Sequence, residues 1–374
     1  MRFRYVFSVF LVIVVYMTET VSSRSPNSDS LRMVLALFRH GARSPVQSFP
    51  TDPHADYPWI KGKEELQPLG FEQMYQLGIN MRRRYKFFIP GDTVMRKRSI
   101  YTVSSCLQRC IDSAQSFLTG FLKTSNSSTI RKQPVPIHVI PPDQDTYIRQ
   151  NRTCEKVKLI TSQEKANNRS FLASLYRQAA VLQKVISAEV GTPITSTYDT
   201  ALICDSLDVY NTFGLELPNW AHKIFPGPAR EFLQAFLLSY SATPELKHIR
   251  GGAILTEYLK HMKAKRDGRR KYNQRLFFYS GHDLTQVNLF NSLGMEEQAM
   301  QRPELGSAIV FELHKNQILW NDWELRMIHY RNSSTLDPTE LTIPNCPKPC
   351  SLTEFEQIVK PLLLDDYDEV CSNW

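Results

Sequence analysis

The chain predicts an α/β fold with a helical insertion, and three observations carry that reading. Two continuous apolar runs of strand length, "LRMVLALF" at 31–38 and "RLFFYSG" at 275–281, read as strands buried on both faces. Each is followed by segments whose apolar residues recur at helical spacing. Between about 143 and 270 the pattern is mostly helical with loops. With 374 residues and 42% hydrophobic composition the chain can bury a large core or two lobes, and no internal repeat or low-complexity tract interrupts it.

The start, "MRFRYVFSVFLVIVVYMTETVSS", has Arg2 and Arg4, an apolar run from Tyr5 to Met17, and small residues at Ser22 and Ser23. That is the layout of a secretory signal over residues 1–23, with a retained signal anchor as the competing reading. Cleavage removes Arg2, Arg4 and Glu19, taking the formal charge from +8 to +7. No other stretch approaches the ~18 apolar residues of a membrane span, so a soluble mature chain without a stable membrane anchor is expected.

After the first strand, Phe71, Met74, Leu77, Gly78, Met81 and Tyr85 predict an amphipathic helix over 68–88, with Arg82, Arg83 and Arg84 near its end. "SIYTVSS" (99–105) reads as a strand and "CLQRCIDSAQSFLTGFL" as the helix behind it. The insertion contains "NRSFLASLYRQAAVLQKVISAEV" and "GGAILTEYLKHMKAK". Beyond 275–283 come a helix, "LTQVNLFNSLGM", and a stretch, "SAIVFELHKNQILWNDWELRMIHYRN", that alternates like an antiparallel hairpin. The expected division is an α/β unit from 24–142 and 271–374, with 143–270 as a mainly helical cap.

Four sequons, at Asn126, Asn151, Asn168 and Asn332, agree with secretion. The seven cysteines are an odd number, so at least one is free or pairs between chains. "NCPKPC" can close a small loop through Cys346 and Cys350, whereas no second Cys or His pair has the spacing of a zinc site. The basic runs "MRRRYK" and "KHMKAKRDGRRKY" read as solvated faces, and no aromatic-interleaved nucleic-acid motif is present.

The chemistry concentrates in "LFRHGARSPV" (37–46) and "SGHD" (280–283), both at the ends of apolar runs, where a parallel α/β sheet binds ligands. Arg39 and Arg43 beside each other in a water-poor crevice are costly unless an anion lies between them, and the guanidinium fork matches phosphate oxygens. A divalent metal on His40, His282 and Asp283 would sit beside two fixed positive charges, which argues against one. His40, its pKa lowered by neighbouring cations, would be neutral and able to attack phosphorus. Asp283 could then protonate the leaving oxygen, because phosphate charge nearby raises a carboxyl's pKa.

"RHGARSP" followed far downstream by "SGHD" after a strand resembles the histidine acid phosphatase family, the prostatic and lysosomal branch, and reads closest to its insect venom members. "FPTDPHADYPW", "GFEQMYQLGINMRRRY", "LELPNWAHKIFP", "GGAILTEYLKHM" and "CPKPC" extend the resemblance over nearly the whole mature chain. It implies a mixed, mainly parallel sheet flanked by helices, with a smaller helical domain over the site. It implies His40 as the residue that becomes a phosphohistidine, oriented by the Gly41 carbonyl, with Arg39, Arg43 and His282 holding phosphate. Asp283 is implied as general acid and then as base for water. No metal or cofactor is implied, and the expected substrates are small phosphomonoesters or phosphoproteins, hydrolysed best at acidic pH by a secreted or lysosomal enzyme. A homodimer, as in some relatives, is left open. A catalytically weakened phospho-ligand-binding protein and a specialised phytate or lysophospholipid phosphatase are the competing functions.

Three departures from the resemblance matter. Val103, in "VSSCLQR", stands where prostatic-type members carry a phosphate-binding arginine, and losing one such donor commonly costs about 10²- to 10³-fold in rate. Arg109, at the end of that segment, matches a structural arginine and is not counted in the clamp. Ala42 stands where many members have Asp. The resemblance also implies disulfides Cys154 with Cys371 and Cys346 with Cys350. Cys106, Cys110 and Cys204 are left over, since the partner expected for Cys204, near Ala308, is missing.

Overall fold

The computed structural model describes residues 30–91, 98–123, 135–269, 274–315 and 322–372, so the expected signal sequence at 1–23 and Asn126 lie outside the described residues. In chain order, β1 (Leu31–Arg39), α1 (Pro68–Tyr85), β2 (Ile100–Ser104), α2 (Gln108–Phe121) and β3 (Ile137–Val139) precede a run of helices. These are α3 (Glu155–Ala166), α4 (Phe171–Val190), α5 (Thr197–Thr212), α6 (Gly227–Ser239) and α7 (Pro244–Arg266). The chain then forms β4 (Leu276–Gly281), α8 (Asp283–Ser292), α9 (Glu296–Ala299), β5 (Ala308–Lys315) and β6 (Trp323–Tyr330). Short β7 (Thr339–Leu341), β8 (Cys350–Ser351), α10 (Leu352–Val359) and α11 (Tyr367–Ser372) close it.

The sheet order is β3-β2-β4-β1-β5-β6-β7, with β8 also on β6. β3, β2, β4 and β1 run parallel, and β5 turns antiparallel against β1 and begins the expected hairpin with β6. Alternation along β1 decides the two layers. Val34, Ala36 and Phe38 pack with Met74, Leu77 and Met81 of α1 and Phe117 of α2. Met33, Leu35 and Leu37 point the other way, toward Ile254 and Tyr258 of α7, Phe290 of α8 and Phe355 of α10. Each fully buried Leu or Phe of these layers stabilises the fold by roughly 1.5–3 kcal/mol.

A separate apolar cluster joins Phe49 to Leu182 and Ile186 of α4, Leu207 and Tyr210 of α5, Trp220, and Phe232 of α6. The expected cap at 143–270 therefore divides by packing. Residues from about 175 to 233 share their own core, whereas α7 turns its apolar stripe to the sheet and belongs to that layer. Within that unit α4 is bounded locally: Ser170 accepts from the Ala173 N–H at its start, and Gly191 ends it at φ +69°.

Cys154–Cys371 and Cys346–Cys350 are disulfides, while Cys106, Cys110 and Cys204 are free thiols. The basic run at the end of α1 is only in part the solvated face its composition predicts: Arg83 and Lys86 are exposed, but Arg82 and Arg84 turn inward. The Arg84 side chain is largely covered and pairs with fully buried Glu312 at 2.8 Å, because α1 lies across β5. Arg82 donates to the Phe121 carbonyl, joining the ends of α1 and α2. Among the described residues no helix is long and apolar enough to cross a membrane.

Candidate active site

β1 and β4 are adjacent and parallel, with Arg39 opposite Gly281 at their carboxyl ends. The His40 N–H donates to the Gly281 carbonyl at 3.1 Å, so the two motifs leave the sheet side by side despite their separation in the chain. Arg39 Nη2 pairs with Asp283 Oδ2 at 2.8 Å. The rings of His40 and His282 meet edge to face with centroids 5.7 Å apart. Arg43 joins the group at one remove, through Asp205 at 2.8 Å.

His40 Nδ1 lies 2.8 Å from the Gly41 carbonyl. A carbonyl only accepts, so Nδ1 carries the proton and the Nε2 lone pair is left free. Gly41 is required by close approach: a Cβ there would fall 2.4 Å from the Gly70 carbonyl oxygen in the first turn of α1. Burial, then Arg109 and Arg39, hold the His40 pKa well below its ordinary value. Neighbouring cations were the expected cause; burial leads them. Arg109, set aside from the clamp by its sequence position, is the foremost cation acting on both histidines, although Glu64 pairs with it at 3.0 Å.

His282 precedes the first turn of α8, with its Nε2 3.1 Å from Ser105 Oγ and 3.7 Å from Cys110 Sγ. Burial, followed by Arg109, brings its pKa down to about 3, so the ring is neutral. Asp283 opens α8, where the helix dipole favours a carboxylate, and its Oδ1 accepts from the Leu284 N–H at 2.9 Å. Burial pushes its pKa up, but Arg39 and Arg302 overcome that and hold it far below the usual carboxylate range. Asp283 is thus an ion-paired carboxylate.

Three residues of the site have no motif to mark them. Arg302, in the loop between α9 and β5, reaches Asp283 Oδ2 at 3.3 Å, Asp205 at 2.9 Å and Asp208 at 2.8 Å. Asp205 and Asp208 stand one turn apart on α5 and bring the helical unit to the site. The one available signal was an acid, Asp205, embedded among Cys204, Ser206 and Leu207 on a buried helix, where a carboxylate needs a cation. Burial raises the Asp205 pKa, but Arg43 and Arg302 bring it below the ordinary value. A void of about 30 Å³ lies among Arg39, Arg43, Asp205, Asp208 and Arg302. It shares Arg39, Asp208 and Arg302 with a larger cavity of about 550 Å³ that Arg230 also lines.

Val103 is buried in the sheet core at 1% exposure and presents no charge to the site. Two residues on, Ser105 takes up His282 instead. Among the described residues no three His, Cys, Asp or Glu side chains converge to hold a metal ion. Of the sequons, Asn151 and Asn168 are exposed, and Asn332 is half-buried with its amide donating to Glu304 at 2.8 Å.

A neutral histidine with a free Nε2 thus stands among guanidiniums and carboxylates at the carboxyl ends of the parallel strands of a mixed sheet, an arrangement suited to a histidine phosphatase. Residues 30–331 match the family described as Histidine phosphatase superfamily (branch 2), and the chain belongs to that superfamily. It is 28% identical to the lysosomal acid phosphatase of Xenopus laevis over 359 residues, covering 92% of this chain and 79% of the relative. It is also 28% identical to the prostatic acid phosphatase of Bos taurus over 362 residues, 92% of this chain and 88% of the relative. In fold it is similar to the apo form of Hafnia alvei phytase, with a TM-score of 0.64 at 16% identity over 92% of this chain and 98% of the phytase.

Proposed function

We propose that the protein is a secreted acid phosphatase that hydrolyses phosphate monoesters through a phosphohistidine at His40. The observation that carries the reading is the hydrogen bond from His40 Nδ1 to the Gly41 carbonyl, which leaves Nε2 free beside Arg39 and His282. In the first step Nε2 forms a bond to phosphorus, the phosphorus–oxygen bond to the alcohol breaks, and Asp283 protonates the departing oxygen. In the second, Asp283 takes a proton from water, whose oxygen displaces His40 and yields inorganic phosphate. His282 and the guanidiniums of Arg39 and Arg43 hold the transferring group.

Asp283 must carry a proton for the first step, yet Arg39 and Arg302 hold it ionised. Phosphate resolves this, because an incoming dianion competes for Arg39 and Arg302 and its charge disfavours the carboxylate. Substrate binding is therefore coupled to proton uptake, which supports an acidic working range. The unit centred on α4–α6 serves as the cap, with Asp205 and Asp208 as its reach into the site. The sequence start and the exposed Asn151 and Asn168 support a glycosylated, secreted or lysosomal protein.

The test is hydrolysis of p-nitrophenyl phosphate by purified protein from pH 3 to 8, without added metal and with EDTA, beside His40→Ala. Expected is turnover at acidic pH that falls more than about 10⁴-fold in the variant. Wild-type rates in His40→Ala would exclude the phosphohistidine. The buried, uncharged Val103 favours one second reading, a phospho-ligand-binding protein without useful turnover, and a folded but inactive wild type would support it.

A further inference from the structure

We infer that Arg302 is a third guanidinium of the phosphate clamp, held by the carboxylates of α5 and aimed at the Asp283 oxygen whose place an anion takes. The inference rests on the phosphatase reading above and starts from a single oxygen. Asp283 Oδ2 receives Arg39 Nη2 at 2.8 Å, and Arg302 Nη2 and Nε lie 3.3 and 3.4 Å from the same atom. Two forks thus aim at one anionic oxygen next to the histidine pair. A carboxylate oxygen and a phosphoryl oxygen offer a guanidinium the same acceptor, so an anion that Arg39 takes in exchange for Asp283 lies within reach of Arg302.

The remaining donors of Arg302 explain how it is held meanwhile. Nη1 goes to Asp208 at 2.8 Å and Nη2 to Asp205 at 2.9 Å, both on α5. Asp205 is shared with Arg43, and Asp208 with Arg230. Four guanidiniums, those of Arg39, Arg43, Arg230 and Arg302, therefore face three carboxylates, a balance of one positive charge. A proton on Asp283 makes it two, the complement of a phosphate monoester dianion. The strand position at Val103 contributes no cation to this count. A loop residue from outside both motifs supplies one instead.

The experiment uses the full chain with Arg302→Gln and Arg302→Lys. It measures binding of inorganic phosphate by calorimetry, turnover of p-nitrophenyl phosphate, and the thermal midpoint. Expected for Arg302→Gln is roughly 10- to 100-fold weaker phosphate binding and a loss of about 10²- to 10³-fold in kcat/KM. Arg302→Lys should keep part of both, because it retains the charge but not the fork. A purely structural Arg302 would lower the midpoint while the folded fraction bound phosphate as the wild type does, and that result would overturn the inference. Should Arg302→Gln fail to fold, Arg302→Lys decides: wild-type phosphate affinity and kcat/KM in it would overturn the inference equally. Wild type that binds phosphate without turning over ester would remove the phosphatase reading, and the phosphate affinities of the variants would still judge Arg302.

Discussion

Two buried arginine–carboxylate clusters sit on this sheet, and they are built differently. Between α1 and β5, Glu312 Oε1 accepts from Arg84 Nε at 2.8 Å and from the Tyr85 hydroxyl at 2.7 Å, while Oε2 faces His314 Nε2 at 3.3 Å. Both carboxylate oxygens are satisfied from α1 and from the strand itself. At the carboxyl edge, the Nε atoms of Arg39 and Arg43 are buried without a partner, and one oxygen of Asp283 serves two guanidiniums. A closed cluster fixes one arrangement of the fold, whereas buried guanidinium donors left over at the carboxyl edge can still donate to an anion.

The largest test of that contrast is at Asp283. Asp283→Asn removes both the proton donor and the carboxylate that occupies Arg39 and Arg302. Turnover of an alkyl phosphate is expected to fall by about 10²- to 10⁴-fold, and that of p-nitrophenyl phosphate far less, since its leaving group needs little protonation. Inorganic phosphate should bind at least as well as to wild type, because the guanidiniums have lost their internal competitor. Equal losses on the two substrates would remove the acid role, and weaker phosphate binding would remove the idea of a carboxylate in the anion's place.

Glu312→Gln tests the other cluster. It leaves the largely covered Arg84 without its counter-charge, which is expected to cost about 3–5 kcal/mol in denaturant unfolding. The affinity of the folded protein for phosphate should stay unchanged. A drop in that affinity would mean that the two clusters are one device.

The same contrast explains what could be read in the sequence. The strands at 31–38 and 275–281 were legible because burial on both faces leaves an unbroken apolar run, and the motifs at their ends because parallel neighbours must bring those ends together. β3, β7 and β8 were not, since strands of two or three residues, such as Cys350–Ser351, carry no periodicity. Arg39, His40, Arg43, His282 and Asp283 stand in dense local patterns. Arg302 and Asp208 are single residues whose meaning exists only once α5 and the loop before β5 face each other. Arg84 misled for the converse reason: a basic triplet at a helix end looks solvated until the position of β5 is known. The packing of α7 on the sheet was not legible either, because its apolar stripe is compatible with either a cap or a sheet partner.

Acid should take the two regions apart in sequence, and this is the smallest of the expected effects. His282 has a folded pKa of about 3 against an ordinary 6.5. Below pH 6.5 the unfolded chain therefore gains a proton that the folded site refuses, so stability falls with pH from 6.5 toward 3, and buried His40 acts in the same direction. Glu312 is held at about 2 against an ordinary 4.5, so its contribution is complete above 4.5 and is lost only as pH falls from there toward 2. Thermal midpoints measured from pH 7 to 3 should thus decline in two stages. His282→Gln is expected to flatten the stage between 6.5 and 4.5 and Glu312→Gln the stage below 4.5. A wild-type midpoint that stayed level down to pH 5 would mean that the site histidines take up protons freely. That outcome would also weaken the chemistry, because a His40 that protonates near its ordinary pKa has no free Nε2 at the acidity where Asp283 becomes a donor.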